Sequence, residues 1–135
     1  MKRLIYYLIF LLTISGSVAA QNEPGDGAKL REKMIQYIQQ KLGLSKDEAA
    51  RFEPVFINYL KDLRATNQLY KGDRLVLQDK VVELRLRYRD QFKPIIGEQR
   101  SNDVFTHERN FIKQVQEIRN ERLQNREDGR SNKRF

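Results

Sequence analysis

From Leu30 onward, apolar residues recur at steps of three and four in four successive runs, and the runs are separated at Gly43, Gly72 and Gly97. This is the repeat of α-helices buried along one face, so the expected fold is all-α with four helices. Leu30, Met34, Tyr37, Ile38 and Leu42 make the first run, and Gly43 follows where a left-handed cap favours a residue without Cβ. In the second, Ser45-Lys46-Asp47-Glu48 has the makings of a capping box: the serine hydroxyl accepts from a first-turn amide while Glu48 reaches back to the Ser45 amide. Phe52, Val55, Phe56, Tyr59, Leu60 and Leu63 continue that helix, weakly as far as Tyr70. Pro54 lies inside it and removes the hydrogen bond to the Ala50 carbonyl, so a kink or bulge between Ala50 and Pro54 is expected.

The third run carries two patterns at once. Val82 to Arg89 alternates apolar and polar as a half-buried strand does, whereas Leu77, Val81, Leu84, Tyr88 and Phe92 step by three and four. A lone strand has no partner elsewhere in the chain, which favours helix from Arg74 to about Lys93, ending near Pro94 and Gly97. The last helix starts at Glu98 or Ser101 and runs to about Asn125, with Val104, Phe105, Phe111, Ile112, Val115 and Ile118 on a narrow stripe. Residues 28–125 then form a single helical domain, and 126–135 form a disordered, mildly basic tail.

Ahead of these runs, Met1-Lys2-Arg3 precedes an apolar stretch from Leu4 to Ile14 and a small-residue segment from Ser15 to Ala20. That is the layout of a secretory signal over residues 1–20, with Val18 and Ala20 at the positions a signal peptidase reads. Residues 21–27 read as a flexible leader rich in Gly and Pro. The expected location is periplasmic. An uncleaved signal serving as an anchor is the alternative, and membrane contact is expected only in that case.

The 135 residues hold 26 Lys and Arg against 18 Asp and Glu, and loss of Lys2 and Arg3 with the signal leaves 24 basic against 18 acidic, or +6. Export argues against nucleic acid as the partner of this charge. There is no Cys, which excludes a disulfide scaffold, a thiolate metal site, a cysteine nucleophile and lipid attachment at a cysteine. His107 is the only histidine, and no HExxH, Ser/His/Asp set or Gly-rich phosphate loop is present, so neither an enzyme nor a cofactor or metal is expected. Asp47, Glu48, Glu53, Asp62 and Glu108 read as helix-start and surface charges.

The segment from Leu42 to Leu60, LGLSKDEAARFEPVFINYL, resembles the start of the long helix in the Spy/CpxP-like periplasmic proteins, the LTXXQ-motif family. The branch it resembles has the pattern LGL[ST]xxEAxxFxPxxxxY, matched here by Leu44, Ser45, Phe52, Pro54 and Tyr59, with Glu48 where the motif has Gln. A second motif copy is expected before the last helix, and its candidate is Ile96-Gly97-Glu98-Gln99-Arg100, with Gly in place of Thr and Arg in place of Gln.

The resemblance implies an elongated, hooked helical hairpin that pairs as an antiparallel homodimer around a basic and apolar concave face. It also implies an ATP-independent chaperone for unfolded or stress-related envelope proteins. The alternative is an envelope stress sensor or inhibitor acting on one signalling partner, a kinase or an ECF sigma-factor system. Zinc binding by some relatives is not carried over, because those members use His and Cys clusters.

Composition points to arginine as the contact residue, with 15 Arg against 11 Lys. Arg85, Arg87 and Arg89 alternate with Leu84, Leu86 and Tyr88, and these six are the candidate client-binding residues. Guanidinium groups stack on aromatics and grip carboxylates while their stems cover apolar surface, which suits loose contact with many clients. Arg51, Arg64, Arg109 and Arg119 are candidates to extend the patch.

Overall fold

A computed structural model describes residues 25–131; the signal, residues 21–24 of the leader and the last four residues lie outside the described region. The chain divides into two compact units, Met1–Arg31 and Glu32–Phe135. Of the first, only Gly25 to Arg31 are described, and from Asp26 onward they belong to α1 (Asp26–Leu42), which begins two residues earlier than the sequence pattern suggested. Asp26 sits in its first turn, where a carboxylate is favoured by the helix dipole.

α1 ends as its sequence requires. Gly43 adopts φ 62°, its amide donates to the Gln40 carbonyl at 3.1 Å, and the Leu44 amide donates to the Gln39 carbonyl at 3.1 Å. This pair of bonds is a Schellman cap, and Leu44 packs partly buried against the core as that cap favours. α2 (Lys46–Leu69) begins with the full capping box: the Glu48 amide donates to Ser45 Oγ at 3.2 Å, and the Ser45 amide donates to Glu48 Oε1 at 3.1 Å. The helix continues through Pro54 without a break. Ala50 and Pro54 are both exposed, so water can satisfy the carbonyl that Pro54 leaves without an amide.

α3 (Arg74–Ile96) settles the ambiguous run as helix, and among the described residues no strand occurs. Asp73 caps it by accepting from the Leu75 and Val76 amides, each at 3.1 Å. Gly97 then closes it at φ 84°, ψ 167°, a conformation open almost only to glycine. α4 follows at once and spans Glu98–Ser131, six residues beyond the end expected at Asn125. Its opening turn is tied down by Ser101, whose amide donates to the Gly97 carbonyl at 3.1 Å and whose hydroxyl donates to the Glu98 carbonyl at 2.7 Å.

Ring contacts fix the packing. Phe52 lies 5.0 Å from Phe92 and Tyr59 lies 5.4 Å from Tyr88, so numbering rises on α2 as it falls on α3 and the two are antiparallel. Phe92 and Phe105, 6.2 Å apart, join α3 to α4, while Tyr59 and Phe105, 5.5 Å apart, join α2 to α4. α1 meets α4 through Tyr37 and Phe111 at 5.4 Å. Phe52, Phe56, Tyr59 and Phe92 are fully buried, and each such ring contributes about 1.5–3 kcal/mol by leaving water. The core is thus an aromatic ladder drawn from the stripes of helical spacing in the sequence.

Candidate binding surface

The alternating run on α3 does not present its six candidate residues together. Leu84 and Tyr88 are core residues, at 4% and 5% exposure, and are corrected from surface to interior. A helix turning about 100° per residue cannot keep a period-two pattern on one side. Arg85 points the same way as the core: its Nη2 donates to Glu108 Oε1 at 3.2 Å, its Nε donates to the Tyr59 hydroxyl at 3.3 Å, and its guanidinium lies 5.9 Å from the Phe105 ring centre. Arg87 donates to Asp62 Oδ2 at 3.3 Å, sharing that carboxylate with the Tyr88 hydroxyl at 2.6 Å. Burial and the Asp62 carboxylate push the Tyr88 phenol up to about 12. Arg89 is half-buried, and its Nε is closed off from water without a hydrogen-bond acceptor among the described residues, the Asp90 carboxylate being 3.9 Å away. Of the six, Leu86 and Arg87 stand exposed.

Glu108, read from the sequence as a surface charge, is 1% exposed and forms the centre of a buried network with Arg85 and Tyr59. Burial, then the neighbouring Glu108 carboxylate, drives the Tyr59 phenol far above its ordinary range. One Glu108 oxygen, Oε2, has no hydrogen-bond partner among the described residues. The position was legible in principle: Glu108 falls on the line of Val104, Phe111 and Val115 along α4, so the apolar stripe runs straight through a carboxylate. The network ties α2, α3 and α4 together at one level, which makes it architecture and not a ligand-facing site.

The two motif segments also meet. Arg100, on the first turn of α4, pairs with Glu48 of the α2 capping box, Nη2 to Oε2, with a second bond from Nη1 to Oε1 at 3.3 Å. Its Nε donates to the Ile96 carbonyl at 2.8 Å. Glu48 and Arg100 are the last residues of the two five-residue segments, Leu44 to Glu48 and Ile96 to Arg100, and the ion pair joins them. The Arg100 hydrogen bond, followed by the Ser45 amide, holds the Glu48 carboxyl below the ordinary carboxylate range.

The surface that remains free lies on the distal part of α4. Beyond Phe111, only Val115 is better than exposed, although the helix continues for about 30 Å at 1.5 Å per residue. Ile112, Ile118 and Leu123 are 38%, 50% and 48% exposed. Helical geometry places these three and Val115 on a face about 140° wide that also holds Arg119, Arg122, Arg126 and Arg130. Glu117, Glu121, Glu127 and Asp128 all fall outside that face. None of these four arginines has a carboxylate within ion-pair distance among the described residues. The sequence reading ended the helix at Asn125, named only Arg119 of this group, and so missed the face.

Among the described residues, no group of three or more His, Asp or Glu could hold a metal ion, and no helix is long and apolar enough to cross a membrane. His107 is half-buried on α4. No family model matches this chain, and no curated protein or solved structure matches it either.

Proposed function

We propose that this is an exported, chaperone-like protein that binds unfolded or stress-related envelope proteins without ATP, and that the distal face of α4 is its principal contact surface. One observation carries the reading: an apolar stripe, continuous with the core line of α4 but uncovered beyond Phe111, shares its face there with four arginines and no carboxylate. Such a face offers non-directional burial for apolar client segments and guanidinium contacts for their carboxylates and aromatics. It contains no enclosed, shape-selective pocket of the kind a single small ligand needs. Leu86, with neighbouring Val82 on α3, adds exposed apolar surface of the same character. The resemblance to the Spy/CpxP-like family agrees with this reading, and the same family supplies the homodimer as its working state.

The test is suppression of aggregation of a reduced or heat-stressed protein by residues 21–135 at near-equimolar ratio. Suppression is expected, weaker at high salt because exposed arginines are screened, and lost in an Ile118→Ser, Leu123→Ser double variant that retains its helix content. Absence of suppression at every salt concentration refutes the proposal. Capture of one stoichiometric signalling partner, with no activity on general clients, would instead identify a stress sensor or inhibitor.

A further inference from the structure

The turn between α2 and α3 has a composition that neither the core nor the α4 face explains. Leu69 and Leu75, which flank it, are 75% and 78% exposed, more than any other large apolar side chain among the described residues. Val76 beside them is 38% exposed. Two leucines this exposed, brought to the same end of a hairpin, require a separate reason.

Charge around this tip is mostly of one sign. Arg64, Lys71 and Arg74 are exposed and have no carboxylate within ion-pair distance among the described residues. Asp73 is engaged by the Leu75 and Val76 amides, so its charge is partly offset by the start of α3. Asp79 is the other acidic residue near the tip, and Lys80 is paired with Glu83 at 3.0 Å. The backbone of the turn is ordered, with the Tyr70 amide donating to Thr66 and the Asp73 amide donating to Tyr70, each at 3.1 Å. The leucines are therefore held in place at the end of a fixed hairpin.

We infer that this tip docks on an anionic lipid surface, with Leu69, Leu75 and Val76 entering the headgroup boundary and Arg64, Lys71 and Arg74 facing the lipid phosphates. Area decides against a protein partner at this spot. Three aliphatic side chains fall well short of the roughly 800 Å² per partner that a stable protein interface covers. A bilayer boundary imposes no such threshold, since shallow apolar insertion and diffuse attraction to Lys and Arg act together on a small convex tip. The contact needs neither the leader nor a membrane-spanning helix, and it is independent of client binding on α4.

The experiment is co-sedimentation of residues 21–135, which retain every described core residue, with vesicles of phosphatidylcholine containing about one third phosphatidylglycerol. Binding is expected, and it should fall about tenfold or more for Leu69→Ser, Leu75→Ser and for Lys71→Glu, Arg74→Glu, with neutral phosphatidylcholine vesicles also binding weakly. These residues are exposed, so unchanged circular dichroism and melting will confirm that each variant folds. Absence of vesicle binding, or equal binding by wild type and the leucine variant, overturns the inference. Loss of aggregation suppression in the leucine variant with vesicle binding intact also overturns it and assigns the tip to protein clients. The α4 variant Ile118→Ser, Leu123→Ser is expected to bind vesicles normally, which keeps the two surfaces distinguishable.

Discussion

Replacing Arg85 by Met is the sharpest probe of the buried network. The substitution keeps an apolar stem beside Phe105 but leaves Glu108, 1% exposed, without its guanidinium. Breaking a buried pair from one side commonly costs about 3–5 kcal/mol, because the remaining charge has lost its compensation. The variant should therefore be destabilised by about 3 kcal/mol at pH 7, lowering the melting temperature by about 15 °C. Urea unfolding and thermal melting followed by circular dichroism measure this. The double variant Arg85→Met, Glu108→Leu removes both charges and should recover most of the loss at pH 7. A single variant as stable as wild type, or a double variant no better than the single one, would refute the assignment of Glu108 as a buried partner of Arg85.

Two further outcomes test the joints between helices. Gly97→Ala should destabilise the fold by about 1–3 kcal/mol, although a Cβ there meets nothing within 4 Å, because the penalty comes from φ 84°, ψ 167° alone; an unchanged denaturation midpoint would remove that explanation. For the pair between α2 and α4, the Glu48 carboxyl is held below its ordinary value, so its stabilising contribution is complete above the unfolded value near 4.5 and is lost as pH falls through the lower folded value. Arg100→Ala should thus be less stable than wild type at neutral pH, with the gap narrowing as the pH falls below the unfolded value; a gap independent of pH would show that Arg100 acts through packing and not through Glu48.

The resembled motif is clarified by its setting. Ser45, Glu48, Phe52 and Tyr59 act in four different ways, as cap, cap partner, core ring and network hydroxyl. Pro54 is exposed and takes no part in the core. A segment with this division of labour is built to hold α2 against α3 and α4, and the candidate client surface lies elsewhere in the chain. The proposed chaperone activity therefore rests on residues outside the motif.

Local features were legible before any tertiary contact was considered. The Gly43 cap, the Ser45 and Glu48 capping box, the helix periods and the aromatic core of Phe52, Phe56, Tyr59 and Phe92 depend on interactions within four residues or on a repeat of 3.6, and sequence order records both directly. What tertiary structure alone decided was the fate of the charges. Arg85 finds Glu108 across 23 residues, Arg87 finds Asp62 across 25, and Arg100 finds Glu48 across 52. A guanidinium looks the same in the sequence whether it faces water, a buried carboxylate or a client. Packing separates these cases: Arg85, Arg87 and Arg100 are taken up where α2, α3 and α4 face one another, whereas Arg119, Arg122, Arg126 and Arg130 lie where α4 continues past its neighbours and have no ion pair among the described residues.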